Sequence, residues 1–134
     1  GTLAAAAGAD RTVRLYDPET GTAAGELKGT AAVTSLAFLP DGTLASAGGD
    51  TVVKLWDTVA KRVAKEFPGH QLPVLALAAG ADGKLLVSAA ADKTARGWDP
   101  LAGKALWTWT AKSAVCAAGV RAGGKHVAAG AADG

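Results

Sequence analysis

Three side chains near the middle of the sequence are of the types that build a serine-hydrolase triad. His70, Ser88 and Asp92 all lie in the stretch from Gly69 to Asp99. In a triad the histidine is the base for the serine hydroxyl, and the aspartate orients the imidazole. Here the context argues against that chemistry, because Ser88 lies in the strand-like run LLVSAAA and not in a strained GxSxG turn. We expect no catalytic residue and predict that the chain is not an enzyme.

The sequence repeats, and the period of the repeat indicates the fold. The segments LAAAAGADRTVRLYD, LASAGGDTVVKLWD and LLVSAAADKTARGWD superpose, and each carries an aromatic residue six positions after a turn aspartate. A repeat of about 40 residues is typical of units that cannot bury their apolar face alone and stack on their neighbours. The turn aspartates of the four copies, the last of them incomplete, are Asp10, Asp50, Asp92 and Asp133.

The alanine content gives a competing signal, because alanine is the best helix former. The alanine runs are short, however, and Gly and Asp-Gly turns bound them. The segments TVRLY and TVVKLW that follow alternate valine, threonine and aromatic residues, which is typical of strands. The sequence therefore predicts an all-β fold.

These features resemble the WD40 repeat family over essentially the whole chain. The motif positions are Trp-Asp pairs, a Gly-His pair and a Pro-Asp-Gly turn. They stand here at Trp56-Asp57, Trp98-Asp99, Gly69-His70 and Pro40-Asp41-Gly42. In the first repeat Tyr16 takes the tryptophan position. The resemblance implies four-stranded antiparallel β-propeller blades.

The pattern places repeat units at approximately 1–42, 43–83 and 84–124, with 125–134 starting a further unit. Closed propellers generally use about four to eight blades, so the roughly three blades expected here do not close a ring. We expect an incomplete ring that closes by homo-oligomerisation, as a dimer or trimer, or with blades from elsewhere. The near-integral number of units favours the first reading. The absence of methionine favours a piece of a longer protein.

WD40 blades with this pattern contain a buried hydrogen-bonded tetrad of Trp, Ser, His and Asp. By that resemblance Trp98, Ser88, His70 and Asp92 should form one. An indole N–H, a hydroxyl, an imidazole and a carboxylate buried together satisfy one another, whereas each alone would be desolvated at a cost.

A partial tetrad is expected in the second repeat, with Thr30 in the histidine position. Its members are Ser46, Asp50 and Trp56. Since the serine recurs with the repeat, its role is predicted to be structural.

The resemblance implies a protein–protein interaction or scaffold module whose protein or peptide partner is unidentified. A self-assembling structural building block is the alternative. The candidate partner-binding face consists of Arg11, Gln71, Lys93 and Lys112. The favoured alternative is that these are solvated turn residues, since binding hot spots are rich in Trp, Tyr and Arg. We interpret Arg14, Lys54 and Arg96 as polar residues on the outer side of an alternating strand, and Trp107 and Trp109 as core.

Charge and composition exclude several other classes. The net charge is only +2 and no basic run occurs, so neither nucleic acid nor a membrane surface is predicted as a partner. The longest mainly apolar run, LPVLALAAGA, is too short to span a bilayer. Cys116 is the single cysteine, which excludes an intrachain disulfide and permits a cytoplasmic location. No cofactor or metal is expected, and His126 is interpreted as an ordinary surface residue.

Overall fold

The computed structural model describes residues 3–121 and 126–133, and the regular structure in these ranges is all β. The strands are β1 (Ala4–Ala7), β2 (Thr12–Tyr16), β3 (Ala23–Lys28), β4 (Val33–Phe38), β5 (Leu44–Gly48), β6 (Val53–Asp57), β7 (Arg62–Phe67), β8 (Val74–Ala79), β9 (Leu86–Ala90), β10 (Thr94–Asp99), β11 (Lys104–Thr110), β12 (Val115–Val120) and β13 (Val127–Ala131). No helix in the described ranges is long and apolar enough to cross a membrane.

The strands form four antiparallel sheets, which we number as blades in chain order. Blade 1 is β1-β2-β3, blade 2 is β4-β5-β6-β7, blade 3 is β8-β9-β10-β11, and blade 4 is β12-β13. The predicted all-β fold with four-stranded antiparallel sheets in an open arrangement is confirmed. The repeat-unit limits stay a prediction, because a sequence repeat and a sheet divide the chain at different strands.

Small residues let the blades approach one another. The first strand of blade 3, β8, contacts β4 of blade 2 and β12 of blade 4. The second strands β5 (LASAG) and β9 (LVSAA) are buried along their whole length. Since Ala, Ser and Gly occupy little volume, the neighbouring sheets pack closely at these strands.

Large apolar side chains fill the space between successive blades. Trp56 of blade 2 packs against Val13, Leu15 and Leu27 of blade 1. Trp98 of blade 3 packs against Phe67 of blade 2, with ring centroids 5.5 Å apart. Each Trp-Asp tryptophan therefore joins its own blade to the preceding one.

The outer strand of blade 3 differs from the prediction. Trp107 and Trp109 were expected in the core, but they are 37% and 47% exposed. Trp107 does fill the space over Gly97, where an added Cβ would overlap its indole. A cavity of about 290 Å³, lined by Ala95, Trp107, Trp109, Val127 and Ala129, separates this strand from blade 4. The prediction was wrong because strand alternation shows which face a side chain is on, and not whether another sheet covers that face.

Candidate functional site

The four predicted tetrad residues meet inside blade 3. Ser88 lies in β9, Trp98 in β10, Asp92 in the turn between these strands, and His70 in the loop that precedes β8. The Trp98 Nε1–H donates to Ser88 Oγ at 2.8 Å. The Ser88 Oγ lies 2.6 Å from His70 Nε2, and His70 Nδ1 lies 2.9 Å from Asp92 Oδ2. The four side chains form one continuous hydrogen-bonded chain.

The direction of each hydrogen bond follows from the imidazole. Burial is the main effect on the pKa of His70 and lowers it, so the ring is neutral near pH 7. A neutral ring with its proton on Nδ1 donates to Asp92 and accepts the Ser88 hydroxyl proton at Nε2. Ser88 Oγ is then free to accept from Trp98, and each of the four side chains in this network has a hydrogen-bond partner.

Asp92 is the acid of this network, and both of its carboxylate oxygens accept hydrogen bonds. Burial raises its pKa, but donors from Thr94, the Gln71 backbone and His70 outweigh this effect and lower it to about 2. Thr94 Oγ1 donates to Oδ1 at 2.6 Å, and the Gln71 N–H donates to Oδ2 at 3.0 Å. The ionised carboxylate thereby holds its own turn and the His70 loop together.

The distances within this network fall in the range of a hydrolase triad, but its access does not suit one. Ser88 is 0% exposed and His70 is 5% exposed. A substrate carbonyl would have to reach Ser88 Oγ through packed side chains, and Trp98 already donates to that oxygen. In this arrangement the network satisfies buried polar groups and presents no nucleophile to solvent.

Blade 2 has the same serine, tryptophan and aspartate without the histidine. The Trp56 Nε1–H donates to Ser46 Oγ at 2.7 Å. Thr30, in the histidine position, donates to Asp50 Oδ2 at 2.7 Å. Lys54 Nζ donates to Asp50 and, at 2.8 Å, to Thr30 Oγ1. The partial tetrad therefore consists of two separate groups rather than one chain.

Lys54 corrects an interpretation made from the sequence. It was expected on the outer side of its strand, yet it is only 8% exposed. Hydrogen bonds from Lys54 and Thr30 outweigh the effect of burial and lower the pKa of Asp50. Strand alternation missed this pair because the partner comes from a turn and not from the strand.

The residues that follow the turn aspartates share an unusual backbone. Arg11, Thr51 and Lys93 have φ values of 66°, 65° and 69°. This left-handed conformation is uncommon for residues other than glycine. The aspartate side chain supports the turn, since Asp10 Oδ1 accepts from Thr12 N–H at 3.2 Å and Asp92 Oδ1 accepts from Thr94 N–H at 3.0 Å.

The four residues of the predicted partner-binding face are all exposed, and three of them gather on blade 3. Gln71 adjoins the Asp92 turn through its backbone N–H. The Ala111 N–H donates to the Lys93 carbonyl at 2.8 Å, which brings Lys112 to the same end. Arg11 occupies the corresponding turn of blade 1. Nothing in the sequence indicated that Arg96 adjoins this region, yet a Cβ added at Gly69 would lie 2.8 Å from Arg96 Nη1.

A depression lies at the opposite end of the blades. It has a volume of about 710 Å³ and contains Asp41 and Asp57. Both acids are engaged in turns, where Asp41 accepts from Thr43 N–H and Asp57 accepts from Val59 and Ala60 N–H, each at 2.9 Å. Among residues 3–121 and 126–133, no three His, Cys, Asp or Glu side chains gather as metal ligands would. His126 is exposed, immediately before β13.

The fold and the network define a class of protein, and the comparisons with known proteins identify it. The WD40 family model, described as WD domain, G-beta repeat, matches residues 21–57 and 61–99. These matches cover more than half of the chain. The chain therefore belongs to the WD40 repeat family.

Particular relatives are similar over most of this chain but only over a small part of their own length. The CCR4-associated factor 4 homolog of Candida glabrata is 38% identical over 119 residues, which cover 79% of this chain and 20% of that protein. The U3 small nucleolar RNA-associated protein 21 of Saccharomyces cerevisiae is 33% identical over 93 residues, which cover 69% and 10%. The crystal structure of the RRP9 WD40 repeats matches with a TM-score of 0.82 at 22% identity, covering 87% of this chain and 38% of that one. That structural likeness shows the fold alone.

Proposed function

We propose that this chain is a non-catalytic protein-interaction module, and that the turn-aspartate end of its blades is the partner-binding surface. The observation that carries the proposal is the Asp92 network. This network, although it has the residue types of a hydrolase triad, anchors the Asp92 turn and the His70 loop to a buried Ser88. Side chains on these loops are therefore held in place before a partner arrives.

Preorganisation of this kind favours binding, because less conformational freedom is lost when the complex forms. The left-handed turns at Arg11, Thr51 and Lys93 repeat at one end of three blades, so their side chains leave the sheets in equivalent directions. The exposed Gln71, Lys93 and Lys112 then provide donors on neighbouring loops of blade 3. A partner with acidic groups would complement them.

The names of two relatives support an assembly role. One is a factor associated with CCR4, and the other is associated with U3 small nucleolar RNA. For this chain the inference is limited to binding a protein or peptide.

Selection from a random displayed-peptide library, followed by binding measurements on charge-reversed variants, tests the proposal. Peptides selected on the wild-type chain should lose affinity for a chain with both Lys93→Glu and Lys112→Glu. Lys104→Glu is the matched control, since Lys104 is also exposed but lies at the opposite end of the same outer strand. Equal loss in the control, or no selectable peptide, would contradict a partner surface at the turn-aspartate end.

Self-assembly is the second candidate function, and the exposed surface of blade 3 favours it. Between blades 1 and 2, and again between blades 2 and 3, a tryptophan of the later blade fills the interface. Tyr16 holds the corresponding position in blade 1 and is half-buried. The cavity beside Trp107 and Trp109 would accept such a ring from a second copy. Light scattering after size exclusion would then give a dimer or trimer that Tyr16→Ala dissociates, whereas a monomer would reject this candidate.

A further inference from the structure

One cation recurs at the same position in blades 1, 2 and 3. Each of these cations lies four residues after the turn aspartate of its blade. They are Arg14 in β2, Lys54 in β6 and Arg96 in β10, and these three strands correspond to one another in the repeat. In blade 1, Arg14 Nη2 donates to Asp10 Oδ2 at 2.6 Å. In blade 2, Lys54 pairs with Asp50. The turn aspartate neutralises the cation in both of these blades.

In blade 3 the turn aspartate accepts hydrogen bonds from donors other than the strand cation. Asp92 Oδ2 accepts from His70 and from the Gln71 backbone, and Oδ1 accepts from Thr94. None of the ion pairs in the described part of the chain includes Arg96. In blade 3 His70 therefore binds the Oδ2 atom of the turn aspartate, which is the atom that the cation binds in blades 1 and 2.

A second acid is also missing beside Arg96. The strand register places Glu26 opposite Arg14 and Glu66 opposite Lys54. Thr108 is opposite Arg96. A neutral hydroxyl thus stands where the other two blades carry a carboxylate on the outer strand.

The Arg96 side chain is left unsatisfied within the described residues. Its Nε is buried and has no hydrogen-bond partner there. A Cβ added at Gly69 would lie 2.8 Å from Arg96 Nη1, so the guanidinium lies directly under the His70 loop. The residue itself is partly exposed. A buried donor without an acceptor is costly. An acceptor from outside would not reach the buried Nε but would bind the terminal nitrogens of the partly exposed guanidinium.

Two lysines accompany Arg96 at the turn-aspartate end of blade 3, where the carboxylate of Asp92 already accepts from His70 and Thr94. Lys93 and Lys112 are exposed at the same end of blade 3. A guanidinium offers paired donors that match a planar carboxylate. The cations are few and the net charge is only +2, whereas a nucleic-acid surface needs many phosphate contacts.

We propose that Arg96 forms an anion-binding site beside the His70 loop of blade 3, and that it binds an Asp or Glu carboxylate of an acidic peptide. The partner's carboxylate occupies the place that Glu26 and Glu66 occupy beside the cations of blades 1 and 2. The inference deepens the proposed function, on which it rests for the choice of a peptide as ligand.

The first test measures the affinity of a short fluorescent poly-glutamate peptide by anisotropy. Arg96→Gln should weaken binding by about tenfold, which is the loss of one charge-assisted pair. Arg14→Gln is the matched control, because Arg14 is already paired with Asp10, and it should change affinity by less than about twofold. Arg96→Lys keeps the charge and should retain part of the affinity, which separates charge loss from misfolding. Equal effects of Arg96→Gln and Arg14→Gln would overturn the proposal.

The second test restores the missing acid within the chain. Thr108→Glu places a carboxylate opposite Arg96, as Glu26 stands opposite Arg14, and should weaken peptide binding by about tenfold. Thr108→Gln is the neutral control and should leave the affinity within about twofold of the wild type. Unchanged binding in Thr108→Glu would contradict the inference.

The failures of the two proposals are distinguishable. If library peptides depend on Lys93 and Lys112 but ignore Arg96→Gln, the interaction module stands and the Arg96 site is rejected. If poly-glutamate binding depends on Arg96 while the library yields no peptide, the anion site stands and the wider partner surface fails. Preference for a single-stranded oligonucleotide over poly-glutamate would overturn the peptide as ligand.

Discussion

Blades 2 and 3 carry the same serine, tryptophan and turn aspartate, and they differ in one loop residue. In blade 3 His70 connects Ser88 to Asp92, so the aspartate faces the core network. In blade 2 Thr30 donates to Asp50, Ser46 accepts from Trp56, and Asp50 pairs with Lys54. The turn aspartate thus joins the core network in the blade whose loop residue is histidine, and it neutralises the strand cation in the blade whose loop residue is threonine.

The difference also shows in the packing of the two blades. A cavity of about 10 Å³ in blade 2 is lined by residues that include Thr30, Ser46, Asp50 and Trp56. A cavity of this size is near the lower limit for one water molecule. In blade 3 the imidazole provides both ring nitrogens to the network and packs edge-on toward the Trp98 ring, with centroids 6.2 Å apart. The space between the serine and the turn aspartate is therefore filled more completely in blade 3 than in blade 2.

Removing the histidine should give the largest difference between the blades. His70→Ala leaves Ser88 and Asp92 without the imidazole and opens a void, so the free energy of unfolding should fall by about 3 kcal/mol. The matched change Thr30→Ala removes one exposed hydroxyl and should cost about 1 kcal/mol or less. Urea unfolding of both variants measures the two losses. Equal losses would show that the histidine gives blade 3 no advantage.

Acid should weaken blade 3 in a pH range where blade 2 does not respond. The folded-state pKa of His70 is lowered from 6.5, so the unfolded chain binds more protons as the pH falls below 6.5. Stability should therefore decrease on acidification, by at most about 1.4 kcal/mol per pH unit. Asp92, whose pKa is lowered from 3.8 to about 2, adds a further loss only below 3.8.

The contribution of His70 can be isolated with a side chain that does not titrate. His70→Gln should flatten the change in unfolding free energy between about pH 6.5 and 4.5, because the carboxylates of the chain titrate lower. Below that range the variant and the wild type should lose stability in parallel. An unchanged slope in His70→Gln would show that another group causes the acid response.

Transplanting the histidine should produce the smallest effect and the sharpest comparison. Thr30→His combined with Lys54→Arg gives blade 2 the residues of blade 3 at both positions. The imidazole should connect Ser46 to Asp50 and raise the free energy of unfolding by about 1 kcal/mol. Because Glu66 stands opposite position 54, the cation there should stay neutralised, and poly-glutamate binding should change by less than about twofold. A loss of stability would mean that blade 2 lacks room for the ring.

Local patterns were sufficient to predict the fold. The period, the Asp-Gly turns and the alternating segments each depend on residues close together in sequence, and they agree with one another. The tetrad residues could also be predicted, because each of them recurs at a fixed place in the repeat. Ser88 and Ser46 had the same spacing from their turn aspartates, which favoured a structural role.

Other features depend on which of several donors binds the same carboxylate, and the sequence does not show this. Lys54 is buried beside Asp50, whereas Arg96 has no ion-pair partner among residues 3–121 and 126–133, where Asp92 binds His70. Only the strand register reveals which residue lies opposite Arg96, and that residue is the neutral Thr108. The exposure of Trp107 depends on what covers the outer strand of blade 3.

The central claim is that the His70–Ser88–Asp92–Trp98 network stabilises the blade and catalyses nothing. Ser88→Ala tests it most directly, with nitrophenyl ester hydrolysis and urea unfolding measured on the same preparation. The hydroxyl both accepts from Trp98 and donates to His70, so its removal should lower the free energy of unfolding by about 2 kcal/mol. Ester hydrolysis should stay at the background rate in both proteins. A wild-type activity that Ser88→Ala abolishes without any loss of stability would contradict the account.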